Sequence, residues 1–171
     1  DVLIQVNLDK FLLVGSRWNL DLDRPLKFDA DWQHSLRWEV EEKGKRAGRY
    51  AIDYFVFSGD VFGEIPPFAI GRFHWDNWLL FRARNRRVPV IDASERILAV
   101  HQNHGYGESG RLSELMVRES PEARNNRRLT GGYHHGLDLC QATWRLTKHG
   151  MERQTITQMG FRNWFLAELA T

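Results

Sequence analysis

Apolar residues along the chain alternate between short compact runs and longer stretches at helical spacing, the pattern of an α/β protein. Phe11-Leu12-Leu13-Val14-Gly15 is a compact run closed by a turn-prone glycine. It is too short for a helix and predicts a buried strand that continues through Arg17-Trp18-Asn19. From Asp31 the spacing changes. Trp32, Leu36 and Val40 recur at helical intervals, with Glu39, Glu41, Glu42, Lys43 and Lys45 on the polar side before Gly44 and Gly48, which predicts a surface helix. Tyr50 to Phe57, rich in aromatic and β-branched residues, predicts a central strand with one polar group, Asp53, inside it. Ser58-Gly59-Asp60 breaks that strand, and Val61 to Ile65 is expected as one helical turn. Pro66-Pro67 then forces an extended loop, because the residue before proline avoids the helical region. Trp75 to Arg87 predicts an amphipathic helix with Trp75, Trp78, Leu79 and Arg82 on one side and Arg84, Asn85 and Arg87 towards water.

Two further strands are expected at Val88 to Asp92 and Ile97 to His101, joined by the polar link Ala93-Ser94-Glu95-Arg96. Gly105 to Gly110 is a glycine-rich break. Pro121 to Leu129 predicts a helix with proline in its first turn and Gly131-Gly132 past its end. A short strand is expected over Ala142 to Thr147, and an aromatic-rich amphipathic helix over Phe161 to Leu169. The expected organisation is one α/β unit over residues 1–150 and a C-terminal helical extension over 151–171, with no internal repeat.

At 171 residues, with 42% hydrophobic and 12% aromatic residues, the chain can bury a substantial core. The formal net charge of +2 is too small for a general polyanion binder, so no nucleic-acid role is expected. The single cysteine, Cys140, allows neither an intrachain disulfide nor a structural zinc cluster, and leans the expected location to the cytoplasm. No apolar run approaches the roughly 20 residues of a membrane span. The opening at Asp1, without an initiator Met, suggests a piece of a longer or processed protein.

The chemically informative window is Tyr50 to His104. Asp53 interrupts an apolar strand, Asp76 sits at the start of an aromatic-faced helix, and His101 and His104 lie at the end of a later strand. Polar groups at strand ends and helix starts of α/β sheets are where such folds bind ligands. The ordered segments Phe55-Val56-Phe57, Asp60-Val61-Phe62, Ile65-Pro66-Pro67-Phe68, Trp75-Asp76-Asn77-Trp78-Leu79, Arg82-Ala83-Arg84, Val88-Pro89-Val90-Ile91 and Val100-His101 resemble the acceptor-side half of GT-A type glycosyltransferases. A group of glycosyltransferase-like proteins carrying IDYFVF, IPPFAIGR, WDNWL and HQNH in this order is more similar still, from about Phe11 to about Leu146. The resemblance implies an α/β, GT-A-like mixed sheet flanked by helices, here without the N-terminal nucleotide-binding half and its Asp-x-Asp motif. It implies transfer of a sugar from a nucleotide sugar to a hydroxyl of a carbohydrate acceptor.

Carried onto this chain, the resemblance gives Asp76 the role of catalytic base, although Trp75 and Trp78 stand where the family has acidic residues. The alternative for Asp76 is a helix N-cap. Trp75, Trp78 and Asp53 become acceptor contacts, with Arg72 a contact for phosphate or substrate. Asp53 otherwise pairs with Arg72 or another arginine, since a buried carboxylate needs a partner. The resemblance implies for His101, and less strongly for His104, a role as ligand of a divalent metal, Mn²⁺ or Mg²⁺, or of the diphosphate, the alternative being a histidine satisfied by hydrogen bonds in the core. Their spacing would put them on opposite sides of a regular strand unless the chain bends. The His134-His135 pair ranks lower. Arg82, Arg84, Arg86 and Arg87, like Arg124, Arg127 and Arg128, are expected mainly as solvated faces. A non-catalytic carbohydrate-binding or assembly module is the alternative to the enzyme, and a histidine-based metal hydrolase a distant third. Uncovered strand edges would favour a homo-oligomer.

Overall fold

The structure, a computed structural model, describes residues 3–104, 117–132 and 135–154. Its organising element is β1 (Leu12–Leu20), in which Leu12, Leu13 and Val14 are completely buried. Consecutive buried aliphatic residues mark a strand covered on both faces, as in the middle of an α/β sheet. Helix α1 (Trp32–Lys43) follows, then β2 (Lys45–Arg46) and β3 (Ile52–Phe57), both antiparallel to β1. Helix α2 (Trp75–Asn85) leads to β4 (Val90–Asp92) and β5 (Ala99–Gln102), both parallel to β1. β3 and β4 pair with the same residues, Leu12 to Val14, and so flank β1 on opposite sides; β2 and β5 do the same at Trp18 and Asn19. After α3 (Pro121–Thr130), β6 (Trp144–Thr147) joins β4 in parallel and β7 (Gly150–Arg153) closes a hairpin on β6. The result is a mixed seven-stranded sheet with helices packed on it.

Several expectations are corrected in detail. The Tyr50–Phe57 run is a strand but not a central one: among the described residues β3 pairs only with β1, and Phe57 is 50% exposed. Val61 to Ile65 is not a helical turn. Asp60 Oδ1 accepts from Gly63 N at 2.7 Å and the Val61 amide folds back to Gly59 O, with Gly59 and Gly63 in the left-handed region (φ 62° and 66°). Glu39, placed on the polar face of its helix, is buried and held by Arg24 at 3.0 Å and Lys43 at 3.4 Å. β7 carries the sheet through Arg153. The expected helix over Phe161 to Leu169 and the break over Gly105 to Gly110 lie outside the described residues.

A β-bulge in β3 aims the site. Tyr54 pairs with Gly15 and Ile52 with Ser16, so Asp53 is the extra residue between them. A bulge shifts the alternation by one. Ile52 and Phe55, three apart, accordingly pack in one core, with Leu12, Val14, Leu79 and Leu80, whereas Tyr54 and Val56 pack in the other, with Leu13, Ile91 and Leu146. Gly15 is required here, because a Cβ at that position would run into the Tyr54 hydroxyl.

α2 buries Trp78, Leu79, Leu80 and Ala83 against the first core. α3 is specified by its ends: the Ser120 hydroxyl accepts from Ala123 N, Pro121 occupies the first turn, and Gly131 adopts the left-handed C-cap (φ 80°). Its buried Asn126 accepts from Ala69 N at 2.9 Å and donates to Ala69 O at 3.0 Å and Phe73 O at 3.3 Å. One side chain thus fixes the loop that follows Pro66-Pro67 and delivers α2.

Candidate functional site

The start of α2, the bulged end of β3, the second half of β1 and the end of β5 converge on one cleft of about 480 Å³. The cleft lies towards the carboxyl ends of the parallel strands β1 and β5, the usual place for ligands in an open α/β sheet. Asp53, Arg72, Trp75, Asp76, His101 and His104 all line it. The structure therefore brings together six side chains spread from residue 53 to residue 104, and leaves Trp78 out. Trp78 is 7% exposed and stacks edge-on against Phe68 at 5.2 Å, with Arg82 over its ring. Its position in α2, three residues after Trp75, turns it from the cleft into the core.

Asp76 lies in the first turn of α2, not at its cap. The cap is His74, a buried residue in the left-handed conformation (φ 90°) whose side chain makes no capping hydrogen bond. The Asp76 carboxylate accepts from Asn77 N at 2.9 Å. Burial nonetheless dominates and raises its pKa to about 6, against the pull of the first-turn amides, with the Asp53 charge adding to the rise. A carboxyl poised near neutral pH can take a proton from a hydroxyl and release it to water. A positive φ at His74 is costly for a non-glycine residue and is held here by packing: a Cβ on Gly136 would collide with the His74 ring. Behind the cleft, Asn77 Nδ2 donates to Leu137 O at 2.8 Å and Leu137 N donates to Asn77 O at 3.1 Å, which ties the first turn of α2 to the segment after α3.

Asp53 pairs with Arg17, at 2.8 Å and 3.0 Å to one guanidinium nitrogen, and not with Arg72. His101 Nδ1 lies 3.1 Å from Asp53 Oδ2, which Arg17 also contacts. Burial and the neighbouring Arg17 charge lower the His101 pKa, so the ring is neutral at pH 7, Nδ1–H donates to Asp53, and Nε2 is left as an acceptor. The chain turns after β5 ends at Gln102, and the His101 and His104 rings come to 5.1 Å on the same side of the cleft, where a regular strand would have separated them. Arg72 is exposed at the rim and donates to Gly71 O at 3.3 Å.

These groups do not fit a resident divalent cation. Mn²⁺ and Mg²⁺ require several convergent oxygen or imidazole ligands. The one carboxylate beside His101 is already held by Arg17, and among the described residues no three His, Cys, Asp or Glu side chains are grouped to hold a metal ion. His135, of the lower-ranked pair, has its Nδ1 2.6 Å from Thr130 O and stacks on Phe81; His134 lies outside the described residues.

The arginines expected as solvated faces are partly structural. Arg82 Nε donates to Phe62 O at 2.9 Å, Arg86 pairs with Asp60 at 2.8 Å, and Arg127 pairs with Glu119 at 3.1 Å. Two cleft residues escaped the sequence argument. Arg17 was signalled only as a charge within an apolar strand. Tyr50, 55% exposed at the cleft, is braced by Arg49, whose guanidinium lies 5.0 Å over the ring and pairs with the buried Asp138 at 3.0 Å. Among the described residues no helix is long and apolar enough to cross a membrane. No family model, no curated protein and no solved structure matches this chain.

Proposed function

We propose that the cleft is the acceptor side of a glycosyl-transfer site, with Asp76 as general base. The observation that carries this proposal is the placement of the Asp76 carboxyl in a cleft walled by Trp75, Phe55 and Tyr50, where burial raises its pKa to about 6. Aromatic faces bind the apolar faces of sugar rings, and a half-buried carboxyl among them is placed to receive a hydroxyl proton. In the proposed step the acceptor hydroxyl oxygen attacks the anomeric carbon of a nucleotide sugar in line with the leaving group. The new carbon–oxygen bond forms as the bond to the nucleoside diphosphate breaks, the electron pair leaves with the phosphate, and the hydroxyl proton passes to an Asp76 carboxylate oxygen. Arg17, held by Asp53, supplies fixed positive charge nearby, and His101, oriented by the same carboxylate, offers Nε2 as an acceptor for a second acceptor hydroxyl.

The test is an assay of the protein against UDP-, GDP- and dTDP-sugars with and without saccharide acceptors, following release of nucleoside diphosphate. The proposal expects acceptor-dependent release that is lost in Asp76→Asn. Saccharide binding that is unchanged in Asp76→Asn, with no release from any donor, would reject it in favour of a carbohydrate-binding module. That second proposal is favoured by one observation: the described residues contain no ligand set for the cation that commonly neutralises a leaving diphosphate.

A further inference from the structure

Arg17 and Trp18 are consecutive on β1 and point to opposite sides of it. Arg17 enters the Asp76 cleft; Trp18 lines a second cleft of about 570 Å³ that shares no residue with the first. Its walls come from α1, the link between β4 and β5, and the β6–β7 hairpin. Five cationic side chains, Arg37, Arg46, Arg96, Arg145 and Lys148, line this cleft together with the indole. Three carboxylates accompany these five cations and leave a net excess of two positive charges in the cleft. Glu95 lies 3.7 Å from Arg145, and Glu152 accepts a hydrogen bond from Thr147 at 2.9 Å. Glu41 completes the three. Among the described residues Arg37, Arg96 and Lys148 make no ion pair.

The whole chain carries a formal net charge of only +2, and the five cations and three carboxylates of this cleft account for an excess of the same size. The partly exposed Trp18 is flanked across the sheet by Arg46 on β2 and Val100 on β5, which hold the indole within the sheet while leaving it accessible from the cleft. Planar guanidinium forks match carboxylate and phosphate oxygens in pairs, and an indole face suits a sugar ring. We propose that this cleft is a separate binding site for an anionic saccharide, a sugar chain bearing carboxylate or phosphate groups, seated on Trp18 and clamped by Arg37 and Arg96. The assignment does not depend on whether the Asp76 cleft transfers sugars.

The test is calorimetric titration of the full chain with four probes: an oligogalacturonate, a neutral oligosaccharide of the same length, a mannose 6-phosphate oligosaccharide, and a single-stranded RNA oligonucleotide. Arg37→Ala and Arg96→Ala both alter exposed side chains outside the core, and circular dichroism checks that each variant folds. The site predicts that at least one anionic probe binds ten-fold or more tighter than the neutral one. It also predicts that affinity falls ten-fold or more in the double variant, falls with added salt, and is unchanged in Arg72→Ala. The carboxylate and phosphate probes distinguish the two sources of the anion. Equal binding of the neutral sugar, loss of binding in Arg72→Ala but not in the double variant, or tighter binding of single-stranded RNA than of either anionic sugar would each overturn it.

Discussion

The two halves of β1 have the same backbone and opposite jobs. Leu12 to Val14 are completely buried between β3 and β4 and contribute through packing alone. Gly15 to Leu20 begin with a bulge opposite, carry Arg17 and Trp18 into two different clefts, and pair with the short β2 and with β5. The first half obeys the pattern rules of a buried strand, and the second breaks them where chemistry is placed. Local rules fail where polar side chains must converge, and other interactions then hold the exception: here the Arg17–Asp53–His101 contacts and the close approach of Tyr54 to Gly15.

That contrast can be broken from the chemical side first. Asp76→Asn is expected to lower sugar transfer by about 10²- to 10⁴-fold, the range for loss of a general base, with the circular dichroism spectrum unchanged. A residual rate within a few-fold of wild type, measured as nucleoside diphosphate release, would remove Asp76 from the chemistry. On the packing side, Leu13→Ala removes a completely buried side chain and is expected to cost about 2–5 kcal/mol in urea unfolding, whatever its effect on the cleft.

Asn126→Ala should give a smaller loss, about 1–3 kcal/mol, because it leaves Ala69 N and two loop carbonyls without their partner. It should also weaken saccharide binding in the Asp76 cleft, which Leu13→Ala should not do in the folded fraction. The last effect has the opposite sign. The folded-state pKa of Asp76, about 6, lies above its ordinary value of 3.8, so the folded protein binds the extra proton between those values and loses stability as pH rises through that window. Asp76→Asn should therefore be more stable than wild type at pH 7, by up to about 3 kcal/mol, with the advantage vanishing below about pH 4. Urea titrations of both proteins at pH 4 and pH 7 check this, and equal midpoints at pH 7 would contradict it.

The sequence located most elements because compact apolar runs and helical spacing survive in any context. Phe11 to Asn19, Trp32 to Val40, Trp75 to Arg87 and Pro121 to Leu129 each carry their own signal, with Ser120, Pro121 and Gly131 marking α3 at both ends. Pattern did not reveal that Tyr50 to Phe57 lies beside the centre of the sheet, because an aromatic strand with one covered face looks apolar enough for two. Nor did it separate Trp75 from Trp78. Both fit the apolar side of one helix, and only the loop stapled by Asn126 decides which of them meets the cleft. The true partner of Asp53 is 36 positions away and reached through a bulge that leaves no mark in the composition. The His101–His104 turn depends on where β5 stops pairing with β1, which is likewise set by tertiary contacts.

If Asp76 is the general base of the cleft, its carboxyl titrates near neutral pH. The most direct measurement is a ¹³C NMR titration of aspartate side-chain carboxyls, with Asp76 assigned by its absence in Asp76→Asn. The account predicts a midpoint at about pH 6 for Asp76. A midpoint near 4, in the range of an ordinary solvated aspartate, would contradict it.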